Sequence, residues 1–361
     1  MDGLSNRVGV IGAGGVAFGT AAFCANEGHE TWLWSPTGKR SADLKKGNPL
    51  VSKGALEGNF LINVADSLEE LAAASDVLIF ALPAYAHLPI ITSLADCLES
   101  RHLVVFGAHA SLEALYLSKC LKPRGLKVPI AAWGTTIGTC RQLDFSTTEI
   151  GTLRSKIEAC GFPSDLAKTA LERCRQVFGD RFIDRGDLLS VTLCNLNPQH
   201  HMGIGLCNMT RMENAEHWIQ PDSVTPNTGR LLEALDRERL AIARAAGYEL
   251  RDIFGFFEES YQVPRGSVSE MNTALFNLGK GGPGPKTADN RYVNEDVPFG
   301  LAVTVAIAEI VGVPAPLHAA GIAVFSAMYG RDLAGENNIL PEIITPGMTL
   351  SELSALCRHG Y

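Results

Sequence analysis

The chain of 361 residues has nine cysteines, yet no two stand in a C-x-x-C pair. That spacing excludes a zinc ribbon and a disulfide framework, and scattered thiols fit a reducing interior. No metal site is expected. The chain also lacks a positive surplus: 31 Lys and Arg stand against 39 Asp and Glu, a formal net charge of −8. Nucleic acid and anionic membrane are therefore excluded as main partners. Long hydrophobic runs are missing too. The longest, residues 299–308, is stopped by Glu309, and residues 1–7 carry no apolar signal region, so the expectation is a cytoplasmic protein without a membrane span. There is no internal repeat. With 46% apolar and 19% charged residues, the composition is that of a folded globular protein, and the length suits about two domains.

What is present begins at Asn6-Arg7-Val8-Gly9-Val10-Ile11-Gly12-Ala13-Gly14-Gly15-Val16-Ala17-Phe18-Gly19, which reads as a buried strand, a tight glycine turn and a helix start. Gly12 allows the sharp turn, Gly14 lets the backbone approach a pyrophosphate, and Ala17 in the third slot permits close packing of helix on strand. Free N–H groups of the first helical turn, around Gly15 and Val16, then face the anion. Alternation continues with strands at 31–34, 77–81, 103–106 and 128–133 and a helix at 68–74. Such alternation implies a parallel sheet wrapped by helices. Leu82-Pro83-Ala84 and Gly107-Ala108-His109 close two of these strands at their C-terminal ends, the edge where ligands bind in open α/β sheets. They are expected to flank the nicotinamide end of a dinucleotide. Gly134-Thr135-Thr136 offers two hydroxyls to the same crevice.

The position at the end of the second strand, where an NAD-selective protein usually carries Asp or Glu, reads Ser35-Pro36-Thr37-Gly38-Lys39-Arg40. Hydroxyls at Ser35 and Thr37, with cations at Lys39 and Arg40, suit a 2′-phosphate, so NADP(H) is favoured over NAD(H). From residue 188 onward the pattern turns helical, at 230–246, 301–311 and 319–328. In the first of these, Leu231, Leu232, Leu235, Leu240, Ile242 and Ala243 mark one buried face, with Arg237, Glu238 and Arg239 between them. The expected architecture is an α/β Rossmann domain with a doubly wound, mainly parallel sheet over residues 1–188, followed by a mostly α-helical substrate domain over 189–361. The glycine-rich stretch 279–286 reads either as a lid or as a plain connector. The long apolar helices near the C-terminus either pack internally or pair across a two-fold axis in a homodimer.

Two further segments carry chemistry. In Asn195-Leu196-Asn197-Pro198-Gln199-His200-His201, Asn197 can cap a helix that opens on Pro198, placing Asn197 and His201 on one face. A helix N-terminus disfavours imidazolium, so such a histidine needs a carboxylate partner to hold a proton near neutral pH. Arg291-Tyr292-Val293-Asn294-Glu295-Asp296-Val297-Pro298 supplies candidates. Helix capping alone accounts for Glu295 and Asp296; the functional alternative is that Asp296 orients a histidine for general acid–base work.

In this order, the glycine fingerprint, Asn197-Pro198-x-x-His201 and Arg291-Tyr292-x-x-Glu295-Asp296-Val297-Pro298-x-Gly300 resemble the opine dehydrogenase family over most of the chain. The resemblance implies NAD(P)H-dependent reductive condensation of an amino acid's amine with a 2-oxo acid such as pyruvate. It further implies His201 as the proton-transfer residue, Asp296 as its orienting partner and Arg291 as holder of a substrate carboxylate, with Thr135 or Thr136 on the oxo acid. Where some family members carry an amide side chain after the strand, this chain departs from the pattern and offers His109 to the oxo acid. Two alternatives stay open. One is a simple 2-oxo-acid or glycerone-phosphate-type reductase, against which stands the absence of lysine between Asn195 and Met212. The other is a catalytically silent NADP(H) sensor.

Overall fold

In the computed structural model, which describes residues 6–361, the chain divides into two compact units. One contains the chain up to Thr192 together with Leu353–Tyr361; the other is Leu193–Glu352.

The first unit is built on strands β1 (Arg7–Ile11), β2 (Glu30–Trp34), β3 (Leu50–Gly54), β4 (Gly58–Phe60), β5 (Asn63–Val64), β6 (Val77–Phe80), β7 (Leu103–Phe106), β8 (Ile130–Trp133), β9 (Gly138–Gln142), β10 (Thr147–Leu153), β11 (Ile157–Phe162) and β12 (Phe182–Asp184). Eight of them form one sheet in the order β12-β11-β8-β7-β6-β1-β2-β5. Every pairing is parallel except β11 with β8. β6, β7 and β8 are buried at every residue, as unbroken apolar strands covered on both faces must be. The chain runs outward from β1 to β2 and β5, then returns to β6 on the other side of β1. Loops leaving β1 and β6 therefore diverge, and this switch point opens a crevice at the strand C-termini. The doubly wound, mainly parallel sheet expected from the sequence is present.

A second sheet, β4-β3-β10-β9, was not anticipated. It lies over the helix Gly15–Asn26, and the approach explains two of the glycines there. A Cβ on Gly15 would sit 2.7 Å from the Cys140 carbonyl oxygen, and one on Gly19 would collide with Cys140 Sγ. Packing against β9, in addition to any ligand, requires small residues at both positions.

The second unit is helical, with Asn197–Glu213, Pro226–Ala245, Ile253–Tyr261, Val268–Asn277, Ala302–Val311 and Pro316–Tyr329 as its longer elements. Its core gathers Met202, Ile204, Leu232, Leu235, Phe257, Met271, Leu301 and Phe325. The Pro226–Ala245 helix buries Leu232, Leu235, Ile242 and Ala243 as expected, but Arg239 is buried with them. Its guanidinium donates to Asp236 at 2.8 Å, to the Leu193 carbonyl at 2.8 Å and to the Arg251 carbonyl at 2.7 Å, which satisfies the charge away from water. Glu238 also turns inward: its carboxylate accepts the N–H groups of Leu317 (2.9 Å) and His318 (3.2 Å) and so caps the Pro316–Tyr329 helix from a neighbouring element. Among the described residues no helix is long and apolar enough to cross a membrane.

The stretch 279–286 is tied down. Gln220 N–H donates to the Gly282 carbonyl at 3.0 Å, Gly284 N–H to the Trp218 carbonyl at 3.0 Å, and Trp218 Nε1 to the Pro285 carbonyl at 2.9 Å. Trp218 and Met202 are core residues here, and Tyr261 packs against that core.

Candidate active site

In the first unit the turn after β1 has the geometry of an anion cradle. Gly12 adopts φ +137°, its N–H donates to the Trp34 carbonyl at 2.7 Å, and a Cβ there would strike the Ala81 carbonyl oxygen. Only glycine fits. Gly14 stands in extended conformation at the cap of the Gly15–Asn26 helix with no side chain satisfying the first N–H groups. The one atom a Cβ on Gly14 would approach is Arg40 Nη1, at 3.9 Å. Arg40 thus hangs over the backbone that a pyrophosphate would approach, although it lies far along the chain. Val16 is half-buried and Ala17 fully buried, with its Cβ 3.4 Å from where Gly12 would carry one.

At the end of β2, Trp34, Ser35 and Thr37 line a cavity of about 730 Å³ completed by Asp66, Leu68 and Ile90. Ser35 Oγ is buried there and makes no hydrogen bond within the protein. Lys39 and Arg40 are exposed at the following 3₁₀ turn. These features fit the adenosine and phosphate half of a nicotinamide dinucleotide: open backbone at Gly14, an unpaired hydroxyl at Ser35, cations behind it and no acid on the strand end.

At the strand ends toward the other half, Leu82 and Pro83 are half-buried and close β6. Thr135 and Thr136 follow β8; Thr136 Oγ1 donates to the Gly138 carbonyl at 2.8 Å and accepts from Arg154 at 3.3 Å. That hydroxyl is committed within the protein, so Thr135 is the freer of the two. His109 departs from the expectation of a ligand contact. Its ring is only 1% exposed, its Nε2 accepts the Ala114 N–H at 3.4 Å and its Nδ1 lies 3.4 Å from Thr192 Oγ1. Burial, opposed by the Glu113 carboxylate and reinforced by His87, lowers its proton affinity. His109 therefore supports the strand-end turn from within.

In the second unit, the Asn197–Glu213 helix opens one residue earlier than expected. Leu196 stands at the cap and Asn197 is the first helical residue; its N–H is taken by Asn195 Oδ1 at 3.0 Å, so Asn195 does the work assigned to Asn197. The four-residue spacing keeps Asn197 and His201 on one face. His201 Nδ1 lies 2.8 Å from Asp296 Oδ2, across 95 residues of chain. The Asn290 side chain caps the start of Arg291–Asn294, Glu295 ends that turn through its backbone N–H, and the Asp296 side chain makes no capping bond to the turn after it. His201 Nε2 has no protein partner among the described residues. The Tyr292 ring stacks on the imidazole, centroids 3.9 Å apart and 5° from parallel. Burial, and then the Asp296 charge, push the Tyr292 hydroxyl well above its ordinary pKa. Arg291 Nε donates to Glu295 on a side chain 65% exposed, and its terminal nitrogens make no hydrogen bond to the described residues.

The adjacent histidine behaves differently. His200 packs edge-on against Phe257 at 5.8 Å, and burial followed by the neighbouring His201 pushes its pKa down to about 3. It stays neutral. Of the pair, only His201 has a carboxylate. The Tyr292 stack was missed in the sequence, although Tyr292 sits inside the quoted motif; adjacency to Arg291 was the available signal.

Residues 184–329 match a family model described as the α-helical domain of NAD/NADP octopine/nopaline dehydrogenase, and residues 7–106 match one described as NADP oxidoreductase, coenzyme F420-dependent. An opine dehydrogenase from Arthrobacter sp. (strain 1C) is 26% identical over 348 residues, covering 94% of each chain. Among solved structures, octopine dehydrogenase in complex with NADH and agmatine superposes with a TM-score of 0.77 at 18% identity, covering 98% of each chain. Yersinopine dehydrogenase bound to NADP+ superposes with a TM-score of 0.70 at 14% identity, covering 94% of this chain and 98% of the other.

Proposed function

Because the chain belongs to the opine dehydrogenase family, and is accordingly an NAD(P)-dependent oxidoreductase, we propose that it joins the amine of an amino acid to the carbonyl carbon of a 2-oxo acid such as pyruvate. The amine attacks the carbonyl, water leaves to give an imine, and reduction yields a secondary amine bearing two carboxylates. The observation that carries this reading is the His201–Asp296 contact of 2.8 Å, with Arg291 on the same short motif as Asp296.

In the direction of opine oxidation, His201 Nε2 takes the proton of the secondary amine while Asp296 holds Nδ1 and stabilises the imidazolium that forms. In condensation the same nitrogen gives a proton up. Tyr292, flat against the ring, restricts imidazole rotation. The terminal nitrogens of Arg291 offer two parallel donors to a substrate carboxylate, and Glu295 fixes their direction. Asn197, on the face of His201, and Thr135 are assigned to substrate contacts. When bound, the nicotinamide supplies or accepts the hydride. Gly12, Gly14, Gly15, Val16 and Ala17 would hold its pyrophosphate, and Leu82 and Pro83 would border its nicotinamide end. NADP(H) is the favoured form, supported by the unpartnered Ser35 hydroxyl, by Thr37 and by the cations Lys39 and Arg40.

The test is NADPH consumption with pyruvate and a panel of amino acids. Loss of NADPH only when both substrates are present is expected. Consumption with the oxo acid alone would replace this reading by a simple reductase, and NADPH binding without turnover by a sensor.

A further inference from the structure

β6 and β7 end on Phe80 and Phe106, whose rings stack with centroids 4.7 Å apart. His87 meets Phe80 edge-on at 5.3 Å, and His109 meets Phe106 edge-on at 6.2 Å. Between the two imidazoles lies Glu113, the first residue of the helix Glu113–Leu121, with its side chain wholly buried. One carboxylate oxygen is 2.9 Å from His87 Nδ1; the other accepts the Ala110 N–H at 2.6 Å and lies 3.9 Å from His109 Nε2. His87 Nε2 donates to the Leu82 carbonyl at 2.9 Å. His87 Nε2 thus carries a proton to the Leu82 carbonyl, and Nδ1 shares a hydrogen bond with the Glu113 carboxyl group.

Stability alone does not call for this arrangement, since apolar side chains of similar volume often replace a buried ion pair at no loss. The backbone around it supplies a better reason. Ala108 (φ 75°), Ser111 (φ 53°) and Leu112 (φ 59°) all lie in the left-handed region, a strained turn for residues with a Cβ. Glu113 holds that turn through Ala110, and it holds the turn after β6 through His87 and Leu82. One carboxylate therefore links the two strand-end turns on the crevice side of the sheet.

We infer that Glu113 and His87 are positioning residues for the nicotinamide half of the cofactor, acting by fixing the spacing of the turns after β6 and β7. The inference rests on the proposed cofactor reading, in which these turns border the nicotinamide while the adenosine half lies at the end of β2. Neither residue touches substrate. The prediction is a split between ligands that carry the nicotinamide and ligands that do not.

Dissociation constants for NADPH and for adenosine 2′,5′-bisphosphate are measured on wild type, Glu113→Ala and Glu113→Gln. Glu113→Ala should weaken NADPH about tenfold and change the bisphosphate by less than about twofold, because sub-ångström to ångström shifts at the reacting end are costly while the other strand end is untouched. Glu113→Gln keeps an acceptor for Ala110 and a partner for His87, and should recover most of the NADPH affinity. Equal losses for both ligands, or no loss for either, would overturn the inference. Should Glu113→Ala not fold, His87→Asn carries the same expected split and the same refutation. Wild type binding neither ligand would instead overturn the cofactor reading beneath it.

Discussion

Replacing Asp296 by Asn probes the central contact with little change of shape. The amide still accepts the Nδ1–H of His201 through its oxygen, so the ring orientation and the Tyr292 stack are kept; the charge is lost. Two unit charges about 4 Å apart between centres attract by about 4 kcal/mol at an effective dielectric near 20. His201 and Asp296 keep 21% and 15% of their side-chain surface exposed, so water screens part of this. Roughly half, about 2 kcal/mol, is a reasonable remainder. If imidazolium formation lies on the path, turnover should fall by about thirtyfold. NADPH affinity should stay within about twofold, because binding at the glycine turn does not use that charge. The assay is the initial rate of NADPH oxidation with pyruvate and the most active amino acid, alongside a fluorescence titration of NADPH. Unchanged turnover with retained fold would remove Asp296 from the mechanism. Parallel loss of turnover and cofactor affinity would show that the substitution damages the fold rather than the proton transfer.

Arg291→Lys exchanges a planar two-donor group for a point charge and should raise KM for a carboxylate substrate about tenfold with a smaller change in kcat, read from steady-state kinetics with each substrate varied in turn. Arg40→Glu should weaken both cofactors through the pyrophosphate they share and NADPH about tenfold more than NADH, read from the two dissociation constants, since a charged hydrogen bond to the partly solvated 2′-phosphate is worth about 1.5 kcal/mol. His200 binds a proton only near pH 3 when folded but at its ordinary value of 6.5 when unfolded. The unfolded chain therefore holds more protons between these values. The stability contribution is full above pH 6.5 and falls as the pH drops, by up to about 1.4 kcal/mol per unit. His102 and His109, whose proton affinities burial also lowers, act in the same direction. His200→Phe, which keeps an aromatic ring against Phe257, should accordingly lose less melting temperature than wild type between pH 7 and pH 5.

Features governed by short-range chemistry were open to reading from the chain alone. The strand, glycine turn and helix at 7–26 follow from contiguous residues whose backbone preferences and burial leave one solution, and the parallel sheet follows from the repeated alternation after it. The missing acid at the end of β2 was equally plain. Local chemistry marked His201 as a histidine in need of a carboxylate and Glu295 and Asp296 as candidates, but the family resemblance was needed to pair it with Asp296, because no local rule pairs groups 95 positions apart.

Tertiary structure decided the rest, wherever the outcome depends on which distant segments meet. The sheet β4-β3-β10-β9 joins strands from two separate regions of the chain, and only its approach explains why Gly15 and Gly19 must be small. Arg239 resembles a solvated residue in helical spacing; two carbonyls and Asp236 bring it inside. The Glu113 carboxylate between two histidines, the guanidinium of Arg40 above Gly14 and the Tyr292 ring on His201 are likewise products of folding. Local sequence sets backbone propensity and the pattern of burial. Whether a polar group finds its partner is set by three-dimensional proximity, which those local preferences do not encode.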